Sequence, residues 1–197
     1  MARLRDVYTL VVVSMLSALS FVGMLIQIPF WMTPWLKFDL SEIFAILGAI
    51  IYGPWIGLLI VGIKNVLHYL LKSGDVIGVT MNFFAVGTMV IIVGYAKILA
   101  ERTKNLKTQY IYIGCGLIIG IIVRVIIMVP INWLAILYVP LYRDVFTADG
   151  VFNWDFARVY IYTNTTVFNG VQGLVSTAIA IPLMVAWNNI FGEKLEI

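Results

Sequence analysis

The chain has 197 residues, of which 62% are apolar and only 12% charged, and its mean hydropathy is +1.00. That balance excludes a water-soluble domain, and the formal charge of +3 is dispersed between apolar runs, which excludes a dense nucleic-acid-binding patch. At roughly 20 apolar residues per crossing of a ~30 Å hydrocarbon layer, the length allows about six helices and no additional soluble domain.

The sequence therefore predicts one all-α integral membrane domain over 1–197 with six transmembrane helices. The first run, 7–29, lacks a small-residue cleavage site and reads as a helix of the mature protein. On it, Ser14 and Ala18 form a small-xxx-small pair, with Ser17 and Gly23 nearby, which serves either internal packing or the docking of a partner helix. The stretch 38–72 would be about 52 Å long as a single helix, well over the membrane thickness. Gly53-Pro54 breaks it into spans 39–52 and 54–71. Spans 78–100, 109–138 and 160–191 follow.

The positive-inside rule orients these spans. With six, Arg3, Arg5, Lys97, Arg102, Lys104, Lys107 and Lys194 fall inside, against Lys37, Lys72, Arg143 and Arg158 outside. Fusing 38–72 into one span leaves the majority outside, so six spans with both termini cytoplasmic fit better. The outer loops are then 30–38, 72–77 and 139–159. The last is rich in aromatics, carries Asp144, Asp149 and Asp155, and is a candidate lid.

Charges within spans are costly and should face a cavity or a partner. Glu42, Lys64 and Arg124 are such charges, with Lys64 and Glu42 one plausible pair. Asp39 either caps its helix or contacts a ligand. Asn82, Asn132, Asn164, Asn169 and Gln172 are amides in apolar spans, where an unsatisfied amide is expensive. Asn169 and Gln172 share a helical face, and Asn132 adjoins Trp133. Amides beside aromatic rings suit a flat heteroaromatic ligand with polar edges; hydrogen bonding between helices explains the same pattern. His68 lacks the second histidine a metal site needs, and Cys115, the lone cysteine, reads as a buried small hydrophobe. No phosphate loop is present, so any ATP-driven step needs a partner.

The run Phe38-Asp39-Leu40-Ser41-Glu42-Ile43, continued by Gly53-Pro54-Trp55-Ile56-Gly57 and Ile63-Lys64-Asn65-Val66-Leu67-His68, resembles the substrate-binding component of energy-coupling factor vitamin transporters, especially its riboflavin-specific members. Asn82-Phe83, Asn132-Trp133, Tyr138-Val139-Pro140-Leu141-Tyr142 and Phe168-Asn169 extend the resemblance over nearly the whole chain. It implies a multi-pass protein of a prokaryotic plasma membrane that binds riboflavin near the outer face, under the loop between the first two helices. It also implies no metal, no catalytic residue and no cofactor beyond the transported ligand. Implied ligand-binding positions are Asp39, Leu40, Lys64, Asn82, Asn132, Tyr142, Asn169 and Gln172, and implied docking positions are Ser14 and Ala18. The implied partners are a membrane coupling protein and two ATPase subunits. The chain has Gln172 where riboflavin-specific members commonly have Lys, Phe44 where Pro is usual, and Ser14 where the docking motif usually has Ala.

Other readings are the same scaffold with a different vitamin, a small channel, or an intramembrane enzyme. The enzyme reading lacks a nucleophile with its base, a core carboxylate pair and a metal cluster.

Overall fold

The computed structural model describes residues 2–191. Five helical stretches are long and apolar enough to cross a membrane: Val7–Leu25, Pro54–Lys72, Val76–Ala100, Leu106–Tyr138 and Trp154–Ile190. In chain order the first elements are α1 (Ala2–Leu25), β1 (Ile28–Phe30), β2 (Thr33–Phe38), α2 (Ser41–Tyr52) and α3 (Pro54–His68), which runs on into a π-helical turn, Tyr69–Ser73. Then come α4 (Val76–Ala100), α5 (Leu106–Tyr138), α6 (Pro140–Val145), β3 (Thr147–Ala148), β4 (Val151–Phe152) and α7 (Trp154–Val159). A second π-helical turn, Tyr160–Thr165, leads into α8 (Thr166–Phe191).

Of the six expected spans, 39–52 differs most from a simple crossing. Its helix α2 has 12 residues, about 18 Å, and does not bridge the hydrocarbon layer by itself. It is instead the hub of the bundle, packed against α1, α3, α4 and α8, and Ser41–Ala45 and Ile46–Ile50 are buried but for a half-buried Phe44. The break at Gly53-Pro54 is present. Gly53 has φ +94°, a region open to glycine, and Pro54 begins α3, where its missing N–H is no loss. Gly94 of α4 lies directly against the Pro54 backbone, so the helices α3 and α4 meet where neither has a bulky side chain.

The first span ends at Leu25 instead of residue 29. Residues 28–38 form an antiparallel hairpin pairing Ile28 with Phe38 and Pro29 with Lys37, because the Ile28-Pro29-Phe30 run is as apolar as the helix before it but holds a proline. The 139–159 loop is equally structured, with α6, the β3–β4 hairpin and α7. Its Phe146 and Ala157 pack with Ile136, Tyr160 and Ile161.

Large apolar side chains point outward from several helices, among them Leu10, Met15, Ile118, Ile122, Ile126 and Leu174. That is the inverse of a soluble fold and suits lipid contact. Cys115 is exposed on this surface, not buried as its apolar surroundings led us to expect. Lys194 lies outside the described residues.

Candidate ligand-binding site

At the end of the bundle that carries both hairpins, a cavity of about 620 Å³ opens among α3, α4, α5, α8 and β2. The volume falls within the range of small-molecule pockets.

Its floor is built from charge. Arg124 on α5 donates from Nη1 and Nη2 to Oε2 and Oε1 of Glu42 on α2, at 2.5 and 2.9 Å. Both side chains are 1% exposed. The third guanidinium donor, Nε, reaches Oδ1 of Asn169 on α8 at 3.0 Å, while Asn169 Nδ2 donates to the Thr165 carbonyl at 2.9 Å. Ser176 Oγ adds a bond to Glu42 Oε2 at 3.3 Å. The planar fork of Arg124 therefore fixes the Asn169 amide in one orientation.

A second cluster lies beside it. Asp39 Oδ1 accepts from Ser41 N at 2.8 Å and from Ser41 Oγ at 2.5 Å, and Gln172 Nε2 donates to the Asp39 carbonyl at 2.7 Å. Lys64, fully buried, donates to Ser41 Oγ from behind. The expected Lys64–Glu42 pairing is thus replaced: Arg124 takes Glu42 in a two-bond geometry that an ammonium cannot supply, and Lys64 turns to the Asp39–Ser41 segment.

The aromatic lining is Trp35 from the hairpin, Tyr142 and Phe146 from the 139–159 segment, and Tyr160 and Phe168. Phe38 stacks on Phe168 with ring centroids 5.0 Å apart and planes at 26°, and Phe30 meets both edge-on. Trp35 and Leu36 line the mouth, with Trp35 near Tyr160 at 5.9 Å. Tyr142, on α6, has its phenol pushed up to about 12, chiefly by burial and then by the nearby Asp75 and Tyr160, so this part of the wall is neutral.

Of the positions named from sequence, Asp39, Asn82, Asn132, Tyr142, Asn169 and Gln172 all border this cavity. Leu40 and Lys64 do not: Leu40 is turned to the surface with its backbone against Gly23, and Lys64 sits behind Ser41. Asn164 is buried outside the cavity lining. Ser14 and Ala18 are exposed on the outer face of α1, while Ser17, Ser20 and Gly23 occupy its inward face. Ser20 Oγ donates to the Ser41 carbonyl at 2.7 Å, so inward packing on α1 uses other small residues than the Ser14/Ala18 pair.

Sequence reasoning missed Phe168 and the hairpin residues Trp35 and Leu36 as cavity wall, because aromatic residues in a membrane protein read first as core or interface belt. It had Arg124 and Glu42 as costly charges without their pairing; the partners are 82 positions apart in sequence. Among the described residues no group of His, Cys, Asp and Glu is placed to hold a metal ion.

The family model for the substrate-specific component of ECF transporters matches residues 8–184. The riboflavin transporter RibU of Staphylococcus aureus (strain TCH60) is 34% identical over 176 residues, covering 88% of this chain and 87% of that protein. The riboflavin transporter FmnP of Bacillus subtilis (strain 168) is 33% identical over 174 residues, covering 86% of each. A solved structure of the S component of a bacterial ECF transporter superposes with a TM-score of 0.75 at 28% identity, covering 94% of this chain and 98% of the other. A match over this much of the chain, in sequence and in fold, makes it a multi-pass membrane protein belonging to the family of ECF transporter substrate-specific components.

Proposed function

We propose that this chain captures riboflavin at the outer face of the membrane for an ECF-type importer. The observation that carries the reading is the 620 Å³ cavity whose wall combines the rings of Trp35, Tyr160 and Phe168 with the amides of Asn132, Asn169 and Gln172. A flavin has a flat apolar ring system, a pyrimidine edge with alternating donors and acceptors, and a neutral hydroxylated chain. Amides match such an edge because each offers donor and acceptor together. Asn132 Nδ2 is held by the Met128 carbonyl at 2.7 Å, which aims Oδ1 as an acceptor for the ring N–H. The riboflavin transporters among its relatives support the choice of vitamin.

In this reading Asp39 and Gln172 act together. Gln172 secures the backbone at Asp39, and the pair closes the cavity beside the pyrimidine edge. Tyr142 and Asn82 complete the walls, while Lys64 supports the segment from Asp39 to Ser41 from behind and the Leu40 N–H ties that segment to the Gly23 carbonyl of α1. A glutamine at 172 is consistent with a neutral ligand, since no formal charge on the vitamin has to be met.

Riboflavin is the transported ligand here, not a cofactor, and the chain itself has no catalytic step. Release inward is driven by separate subunits: a membrane coupling protein docking on the Ser14/Ala18 face of α1, and two ATPases. The exposure of that face, with neighbouring Val11, Met15 and Val22 also outward, supports the docking role.

The test is a competition panel on purified protein loaded with radiolabelled riboflavin. Unlabelled riboflavin displaces the label, while thiamine, biotin and folate at the same concentration do not. Displacement by one of those vitamins at lower concentration than riboflavin overturns the assignment.

A further inference from the structure

The polar atoms of the cavity divide into two sets. On the α5–α8 wall most are already engaged: all three Arg124 donor groups, both ends of the Asn169 amide and Nε2 of Gln172 have partners within the protein, while Oδ1 of Asn132 is left for the ring and Thr165 Oγ1 is buried without a partner among the described residues. On the α3–α4 wall Asp75 is engaged, but the side chains of His68 and Asn82 are not. His68 is 6% exposed, and neither Nδ1 nor Nε2 has a partner among the described residues; the same holds for the buried Oδ1 of Asn82. Both residues border the cavity.

We propose that His68 and Asn82 form a subsite for a neutral polyol, and that this subsite receives the hydroxylated side chain of the flavin; the assignment rests on the flavin reading above. Unpaired buried polar groups are costly, so three on facing helices mark a place completed by something that arrives. The vacant positions specify its chemistry. A neutral imidazole offers one N–H donor and one acceptor nitrogen, and Asn82 Oδ1 accepts only. The complement is a group that donates and accepts within a short span, which a run of vicinal hydroxyls does. A phosphate, rich in acceptors, leaves Asn82 Oδ1 and the imidazole acceptor unmet, and the Asp75 carboxylate on the same stretch of wall offsets the attraction of Lys72.

Local structure agrees with this placement. Directly after His68 the α3 helix loosens into the π-helical turn Tyr69–Ser73, a form concentrated at functional sites. Asp75 caps the start of α4 by accepting from Ile77 N and Gly78 N at 3.1 and 3.0 Å, and Gly78 leaves room for that carboxylate, which a Cβ there would meet.

The experiment compares riboflavin with lumiflavin, which has the same ring and a methyl group in place of the polyol, on detergent-purified full-length protein. Asn82→Leu and His68→Phe are measured alongside the wild type, together with the thermal midpoint of each empty protein. Both variants should weaken riboflavin by about tenfold, as expected for a lost buried hydrogen bond, and leave lumiflavin within about twofold of wild type. The empty variants should unfold at or above the wild-type midpoint, because an unpaired polar atom has been removed. Equal losses for both ligands, or unchanged riboflavin affinity, overturn the subsite while leaving the flavin reading intact. Failure of the wild type to bind either flavin overturns the flavin reading and the subsite together.

Discussion

Arg124 and Glu42, from helices far apart in the chain, meet in a two-bond pair at 2.5 and 2.9 Å beneath the ligand cavity, and the same guanidinium holds Asn169 at 3.0 Å. The pair thus joins the hub helix α2 to α5 and, through Asn169, to α8. A charge pair this deeply buried is tolerated because each group is satisfied by the other, and removing one partner leaves an uncompensated charge.

Arg124→Met should therefore destabilise the empty protein by about 3–5 kcal/mol. Combining it with Glu42→Leu should recover much of that loss, since no orphan charge remains. Thermal unfolding of the four proteins in detergent, read as a double-mutant cycle, checks this. Additive losses would mean that the two groups do not act as a pair.

Asn132→Ala and Asn169→Ala should each weaken riboflavin by about 1–3 kcal/mol through a lost buried hydrogen bond. Asn169→Ala should also lower stability, because it strips a partner from Arg124, whereas Asn132→Ala frees only the Met128 carbonyl. Affinity by fluorescence and unfolding midpoint, measured on the same samples, separate the two effects. Undiminished affinity in both variants would remove the amides from recognition.

Much of this arrangement was legible in the sequence, and the limits follow from range. The break at Gly53-Pro54 is local backbone chemistry and stands where the dipeptide put it. The amides at 82, 132, 169 and 172 stood out because their apolar neighbours make an unpaired amide expensive, and all four reach the cavity. The hairpin at 28–38 was hidden because Ile28-Pro29-Phe30 continues an apolar helix in composition and pairs only with residues beyond the turn. Lys64 was placed near the ligand by the family resemblance, and beside Glu42 as one partner for a costly charge. Only the packing of α2 against α3 shows that Ser41 stands between Lys64 and the cavity.

Replacing Ala18 by Trp should leave riboflavin affinity unchanged and abolish co-purification with the energising subunits, because Ala18 faces outward and touches no part of the cavity. Pull-down from membranes containing all components reports the outcome. Normal assembly would show that the Ser14/Ala18 face is a lipid surface.

The Tyr142 phenol has a folded-state value raised from 10.0 to about 12, so between these limits the unfolded chain has lost a proton that the folded chain retains. Stability must then fall as pH rises through that window, and be insensitive to this group below it. Tyr142→Phe should flatten the alkaline decline in unfolding midpoint between pH 10 and 12. An unchanged slope would place the phenol in open solvent.

The central claim is tested most directly by titrating riboflavin with the detergent-purified chain alone and following flavin fluorescence. Capture in a cavity lined by Trp35, Tyr160 and Phe168 predicts saturable quenching that ends at one flavin per chain, without any other subunit or ATP. Monodisperse, folded protein that leaves the fluorescence unchanged would contradict it.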